Sequence, residues 1–295
     1  MPDTTLLADR YEVGEPLTTS GRAEVRRGRD TVLARDVAIK FFRPGRDPQD
    51  ARRIDDEIRA LARLSHPALV SVFDADPSAE MPYAVLERVE GRTLHDRVAG
   101  GCLGIADVRR LGAALADALV HVHAEGFVHC GVKPATVLLG DNDAPRLVDF
   151  GLAHLVDSAR LTLAGQIFGT MAYQAPEQQH GGEITSAVDV YALGVLLLEC
   201  LTGRPHQVPE VPEDLPFDLK NLLMAMTSQS AGGRPTAREC LDALPAVGPP
   251  TLVAQLPRRV RGAHAAPAAG ISPPRVPAAR AASRGVPSQL GRCAS

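Results

Sequence analysis

The feature that most constrains this chain is a polar loop, His129–Thr136, followed closely by the acidic tripeptide Asp149–Gly151. Two strand-like triplets, Val137–Leu139 and Arg146–Val148, enclose turn-forming residues and predict a hairpin between the two motifs. The segment Ile105–Glu125 repeats apolar residues on one face and predicts a long helix before the loop. The sequence therefore predicts a helix, a polar loop, a hairpin and an acidic tripeptide, in that order.

The remaining elements indicate an α+β chain of two lobes. Strands are predicted mainly in the first third, at Tyr11–Gly14, Ala23–Arg26, Asp36–Phe42, Ala68–Phe73 and Tyr83–Leu86. Further helices are predicted at Asp50–Ser65, at the nearly all-apolar Ala187–Leu201, and after the capping box Thr236–Glu239. Because the strands do not alternate with the helices, the expected fold class is α+β, with a small β-rich lobe and a larger helical lobe.

Composition excludes several classes of protein. The formal net charge of −3 gives no reason to expect nucleic acid as a partner. Five cysteines without a C-x-x-C spacing argue against a disulfide framework and a zinc site, which favours a reduced, cytoplasmic setting. The N-terminus lacks the basic and apolar regions of a signal peptide, and no run of 18 apolar residues predicts a transmembrane segment.

The C-terminal segment 246–295 differs from the rest in composition, because it is rich in Pro, Ala and Arg. It contains seven arginines and eight prolines, and it has no acidic or aromatic residue. Such a segment buries too little apolar surface to offset its ordering entropy, so it is predicted to be disordered. Its basic charge is most simply that of a solvated linker, and contact with an anionic surface is the alternative.

Three further motifs accompany the polar loop. Val37–Lys40 ends an apolar strand on a lysine, one of only three lysines among 32 Lys and Arg residues. A lysine kept in such a background offers the compact point charge that suits a phosphate. Glu57 follows 17 residues after Lys40 on a predicted helix, and Ala175–Glu177 follows the acidic tripeptide. Each motif alone is common, but their joint order and spacing are specific.

The motif residues occur in the order Lys40, Glu57, His129, Lys133, Asp149, Glu177, Asp189 and Arg234. In this order they resemble the eukaryotic-like (Hanks-type) serine/threonine protein kinases of bacteria. The resemblance covers roughly residues 10–245 and implies a bilobal protein-kinase fold, with an N-lobe of about 10–88 and a C-lobe of about 89–245. It also implies ATP and Mg²⁺ as cofactors, and a protein as substrate or partner.

The resemblance implies a role for individual residues. Lys40 would contact the phosphates of ATP and form an ion pair with Glu57, and Asp149 would hold Mg²⁺. Lys133 is the remaining residue of the catalytic loop. The other residues implied to surround the nucleotide are Val25, Ala38, Leu86, Glu87, Val89 and Leu138. The residues implied to support the fold are Leu61, His129 and Phe150 in a spine above Asp189, and the Glu177–Arg234 salt bridge.

The polar loop departs from the family's pattern H-R-D-x-x-x-x-N at three positions. Gly131 stands where the family has its catalytic Asp, and Thr136 stands where it has a metal-binding Asn. Cys130 replaces the Arg that pairs with a phosphorylated activation loop, the segment in which Ser158 and Thr162 lie. The loop thus lacks the residue that would accept a proton from a substrate hydroxyl.

Two other segments also depart from the family's pattern. Thr18, Ser20 and Ala23 replace the glycines of the phosphate-covering loop, which predicts a stiffer loop and weaker nucleotide binding. The segment 204–216 contains four prolines and is too short for the docking helix that the family carries there.

Together these departures predict a pseudokinase, a kinase-fold regulatory or scaffold module with weak or absent ATP binding. The alternative is an active Ser/Thr kinase of low turnover, in which Lys133 and Asp149 suffice for transfer. A third alternative is a non-functional remnant of a kinase gene, against which the retained structural residues argue.

Overall fold

The computed structural model describes residues 6–20, 23–43, 54–55, 57–59, 62–149, 154–155, 171–204 and 209–244. The chain divides into two units, Met1–Leu256 and Pro257–Ser295, and every element described here belongs to the first. Several sequence predictions fall outside the described residues: the disordered tail 246–295, the spine residues Leu61 and Phe150, and Ser158 and Thr162.

Five antiparallel strands form the N-terminal lobe. They are β1 (Tyr11–Ser20), β2 (Ala23–Asp30), β3 (Arg35–Phe42), β4 (Val72–Asp76) and β5 (Tyr83–Glu87), in the order β1-β2-β3-β5-β4. Helix α1, with described helical residues 54–55, 57–59 and 62–63, packs on one face of the sheet. Ile54 and Ile58 of α1 share an apolar cluster with Ala38 and Leu86 of the sheet. The strands predicted at the positions of β1, β2, β3 and β5 are confirmed.

The strand predicted at Ala68–Phe73 is misplaced, because the strand observed there begins only at Val72. Residues 68–70 pair instead with the C-terminal lobe. The amide of Leu147 donates to the Ala68 carbonyl at 2.8 Å, and the Val70 amide donates to the Leu147 carbonyl at 3.2 Å. These residues are buried because they join the two lobes, so their apolar run imitates a strand of the sheet.

Helices build the rest of the described chain. They are α2 (Leu94–Ala99), α3 (Ile105–Ala124), α4 (Pro176–Gln179), α5 (Ala187–Thr202), α6 (Phe217–Met226) and α7 (Ala237–Ala243). The short strands are β6 (Arg92–Thr93), β7 (Phe127–Val128), β8 (Val137–Leu139), β9 (Pro145–Leu147) and β10 (His154–Leu155). The predicted long helix and hairpin are confirmed, and so is the capping box, in which the Thr236 amide donates to Glu239 Oε2 at 2.7 Å. Within 209–216 the structure contains no helix, as the prolines predicted.

Helix α5 is the centre of the helical lobe. Every residue from Val188 to Cys200 is buried, which confirms the prediction of a helix enclosed on all sides. Arg234 lies beside this helix with a fully buried side chain and donates to Glu177 Oε1 at 2.6 Å and Oε2 at 2.8 Å. The same guanidinium donates to the carbonyl oxygens of Ala187 and Ser228. The predicted salt bridge therefore ties α4 to the start of α5.

None of the helices within the described part of the chain combines the length and apolar character that a membrane span requires.

Candidate functional site

Lys40 stands at the centre of the candidate site. It lies on β3, and its ammonium group is buried between two carboxylates from separate parts of the chain. Lys40 Nζ donates to Glu57 Oε1 at 2.8 Å and to Asp149 Oδ1 at 2.7 Å. The Lys40–Glu57 pair that the resemblance implied is thus formed, and Asp149 joins it. The three residues connect β3, α1 and the end of the hairpin β8–β9.

The charges of Lys40, Glu57 and Asp149 shift one another's pKa values. Burial alone would lower the pKa of Lys40, but the two carboxylates outweigh it and hold that pKa above its ordinary value. The charge of Lys40 in turn lowers the pKa of Asp149. Burial raises the pKa of Glu57, and Lys40 opposes that rise. Lys40 is therefore charged at neutral pH. It attracts an anion only to the extent that Glu57 and Asp149 leave its positive charge uncompensated.

Several apolar side chains lie near Lys40 on the sheet and on β8, and together they are called the apolar slot below. Ala38 and Leu86 are buried in one cluster against which Val25 and Val89 pack, and Leu138 is half-buried on β8. These are the side chains that the resemblance placed around an adenine. Glu87, also implied, has its amide committed to the Ser71 carbonyl at 2.8 Å. Any bond from the Glu87 backbone to an adenine edge therefore falls to its carbonyl oxygen.

The β1–β2 hairpin is paired almost to its tip, with register shifts between Val13 and Pro16 and between Pro16 and Thr18. Thr18 pairs with Val25, and Ser20 pairs with Ala23. Only Gly21 and Arg22, which lie outside the described residues, separate the two strands. Thr18 and Ser20 are thus paired strand residues, and the stiffness expected from the missing glycines stays a prediction.

Helix α5 anchors the polar loop through Asp189. The Asp189 carboxylate, fully buried, accepts hydrogen bonds from the backbone amides of His129 and Cys130, both at 2.8 Å. His123 Nε2 of α3 also lies 2.9 Å from Asp189 Oδ2. One buried carboxylate therefore fixes the start of the loop and joins it to two helices.

Cys130 is conformationally unusual and chemically quiet. Its backbone lies in the left-handed region, with φ of 56°, which a residue with a Cβ adopts at a cost of about 1 kcal/mol. Burial raises the pKa of the Cys130 thiol well above its ordinary value. The thiol is therefore protonated at neutral pH, and Cys130 offers neither a reactive thiolate nor the positive charge of an Arg.

Thr136 closes the loop from within. Its hydroxyl donates to the Gly131 carbonyl at 2.7 Å and contacts the Lys133 carbonyl at 3.0 Å. The same oxygen accepts from the Lys133 amide at 3.2 Å. Gly131 itself borders a small pocket that is also lined by Lys133, Tyr173, Gln174 and Gln178.

The residues fit a nucleotide better than they fit a set of metal ions. Lys40, paired with Glu57 beside an apolar slot, suits a phosphate and a planar base, and protein kinases use ATP with Mg²⁺. Thr136, at the position of the second metal ligand, has its hydroxyl engaged within the loop. Asp149, the residue predicted to hold a metal ion, already contacts Lys40.

His129 makes the stability of this site sensitive to acid. Burial lowers its pKa from 6.5 to about 4, so unfolding takes up a proton between these values. As pH falls from about 6.5 to 4, we expect His129 to remove about 3 kcal/mol from the free energy of unfolding. Urea unfolding near pH 7 and near pH 4.5 measures the loss, and His129→Gln should lose less over the same interval. Equal losses in both proteins would contradict the prediction.

Some contacts at the site were not predicted from the sequence. His123 beside Asp189 and the hydrogen bond from Tyr173 to Glu199 join distant segments, and no local spacing signals either pair. Gly140–Asp143, by contrast, forms the turn that its composition predicted, with Asn142 in the left-handed region at φ of 56°.

Known proteins are similar to this chain in sequence. A family model described as "Protein kinase domain" matches residues 11–243. "Serine/threonine-protein kinase PknB" of Mycobacterium leprae is 37% identical over 219 residues, which are 72% of this chain and 35% of the relative. The protein of that name from Mycolicibacterium smegmatis is 39% identical over 215 residues, 70% of this chain and 34% of the relative. "Probable serine/threonine-protein kinase SCO3848" of Streptomyces coelicolor is 35% identical over 221 residues, 72% and 33% of the two chains.

The chain thus aligns with about a third of the length of these curated relatives. The match spans both lobes and includes the segments that carry Lys40, the polar loop and Arg234. The chain therefore belongs to the protein kinase family, on the branch of the bacterial eukaryotic-like serine/threonine kinases.

Proposed function

We propose that this protein is a pseudokinase, a regulatory or scaffold module that binds a nucleotide weakly and transfers phosphate poorly or not at all. The observation that carries the proposal is Gly131, which has no side chain to accept a proton from a substrate hydroxyl. General-base assistance contributes about 10²–10⁴-fold to such reactions. The closed hydrogen bonding of Thr136 supports the same conclusion, since it removes a second group that the reaction uses.

Weak nucleotide binding is supported by what the site retains. Lys40 and Glu57 form a buried pair, and the apolar slot beside them is built from side chains of suitable size. Thr18 and Ser20, paired in the β1–β2 ladder where the family has glycines, are expected to limit how closely the hairpin approaches the phosphates. Binding through Lys40 with a modest affinity follows from these two opposing features.

The alternative function is a serine/threonine kinase of low turnover. The observation in its favour is that Asp149 lies 2.7 Å from Lys40, while Lys133 remains in the polar loop. Lys40 and Lys133 can contact phosphate without the lost base, and Asp149 would hold the metal ion. A radiolabelled transfer assay on a generic protein substrate separates the two functions. Transfer at about 1 s⁻¹ or faster that Asp149→Ala abolishes would show the kinase, and transfer near background would support the pseudokinase.

The binding partner is proposed to be a protein, and its identity lies beyond what the site specifies. We also propose a reducing, cytoplasmic setting. That proposal is supported by the cysteines, since Cys102, Cys130, Cys200 and Cys240 are free thiols in the described part of the chain.

Nucleotide binding is expected to depend on Lys40. Adding ATP to the wild-type protein should raise its melting temperature by a few degrees, because a ligand that binds only the folded state stabilises it. In Lys40→Ala the shift should vanish, since the phosphates lose their buried ammonium partner. Differential scanning fluorimetry measures each shift against the same variant without nucleotide, so the lower intrinsic stability of the mutant does not confuse the comparison.

The matched control is Lys220→Ala. Lys220 of α6 pairs with Glu213 and takes no part in the site, so its removal should leave the ATP-induced shift of the melting temperature intact. An undiminished shift in Lys40→Ala would place the nucleotide elsewhere and refute the proposed site.

A further inference from the structure

The position that normally supplies the second metal ligand has acquired a different task in this chain. Thr136 is buried at the end of a short 310 helix, Pro134–Thr136, and closes the loop on itself. A hydroxyl has one proton to donate and two lone pairs to accept with. The proton is directed at the Gly131 carbonyl, and one lone pair faces the Lys133 amide.

A metal ion would have to compete with these bonds. Mg²⁺ requires oxygen ligands at about 2.0–2.1 Å in nearly ideal octahedral geometry. Unless the one lone pair that these bonds leave points at the ion in that geometry, the Thr136 hydroxyl would have to turn and withdraw its proton from the Gly131 carbonyl. The loop would then lose the bond that joins its two ends, since the hydroxyl bridges residues five positions apart.

The remaining candidate ligand is already in an ion pair. The Asp149 carboxylate lies 2.7 Å from the buried ammonium of Lys40, so a metal ion bound to Asp149 would stand close to another cation. No group of three or more His, Cys, Asp or Glu side chains within the described ranges is arranged to hold a metal ion. Lys40, by contrast, is fixed in position by two carboxylates.

We propose that a nucleotide binds this cleft through Lys40 with an affinity that does not depend on a divalent cation, and that Thr136 is a positioning residue of the loop. This inference rests on the proposed nucleotide binding. Residue 136, the family's metal-ligand position, then serves to hold the shape of the loop. The nucleotide site relies on Lys40 alone.

Equilibrium binding of a fluorescent ATP analogue, in EDTA and in excess Mg²⁺, tests the inference without any measurement of activity. For the wild-type protein we expect dissociation constants that agree within about threefold in the two buffers. For Thr136→Asn, whose amide oxygen can face a metal, Mg²⁺ should tighten binding by about tenfold. Wild-type binding that appears only with Mg²⁺ would overturn the inference and leave the proposed function standing.

Two variants test the role of the hydroxyl. Thr136→Ser keeps the donor and should preserve both the melting temperature and the metal independence. Thr136→Val keeps the shape without the donor and should lower the melting temperature by a few degrees, while its binding stays indifferent to Mg²⁺. An unchanged melting temperature in Thr136→Val would refute the positioning role. Absence of binding by the wild-type protein in both buffers would refute nucleotide binding itself and this inference with it.

Discussion

Gly131→Asp combined with Thr136→Asn is expected to raise phosphotransfer by at least about 10²-fold over the wild-type protein, since a positioned general base alone contributes about 10²–10⁴-fold. Gly131 and Lys133 border the same small pocket, so we expect the new carboxylate to lie near Lys133. Asp149 remains in contact with Lys40. Single-turnover transfer of radiolabelled phosphate to a generic protein substrate measures the gain.

Each single restoration should give less than the pair, because the two groups act on one transition state and their effects do not multiply. Adding Asp149→Ala to the double variant is the control and should abolish the gain. A double variant that binds ATP yet stays inert would contradict the explanation by base loss. The shortened segment 204–216 or the missing charge at Cys130 would then be the cause. A wild-type protein that transfers phosphate at about 1 s⁻¹ or faster, and loses this in Asp149→Ala, would refute the pseudokinase proposal.

Asp189→Ala is expected to be the most destabilising substitution at the site, with a loss of about 3–5 kcal/mol in the free energy of unfolding. The substitution leaves two buried backbone amides, those of His129 and Cys130, without their acceptor. It also removes the partner of His123. Urea unfolding followed by circular dichroism gives the loss directly, provided that the variant folds.

Asp189→Asn and Asp218→Ala complete that experiment. The Asn variant keeps one acceptor oxygen and should fall between the wild-type protein and Asp189→Ala, which gives a measurable result even if the Ala variant does not fold. Asp218 pairs with Arg109 at 2.6 Å on an exposed side chain, so Asp218→Ala should change stability little. Similar losses at positions 189 and 218 would contradict the anchoring role of Asp189.

The sequence predicts the elements whose signals are local. Thr236 and Glu239 lie three residues apart, so their reciprocal capping follows from spacing alone. Helix α5 is apolar on every side, and a helix of that kind has to be enclosed. The Lys40–Glu57 pair was predicted from the order of motifs, and the structure places the two side chains in contact.

Contacts that depend on the meeting of distant segments could not be predicted in this way. Residues 68–70 read as a strand because an apolar run carries no information about which partner buries it, and here the partner is Leu147. The three bonds of the Thr136 hydroxyl depend on the path of the loop between Gly131 and Thr136. In the sequence, a threonine at that position shows only that the side-chain amide of an Asn is missing.

The hydrogen bonds between Asp189 and the loop have a consequence for how this site can change in evolution. The carboxylate holds main-chain amides at positions 129 and 130, and every residue type except proline has such an amide. The two hydrogen bonds that fix the start of the loop therefore do not depend on which side chain other than proline stands at position 130. Chemistry, in contrast, depends on side chains. A lineage can thus discard the reaction one substitution at a time and still inherit the outline of the site as a surface for recognition by other proteins.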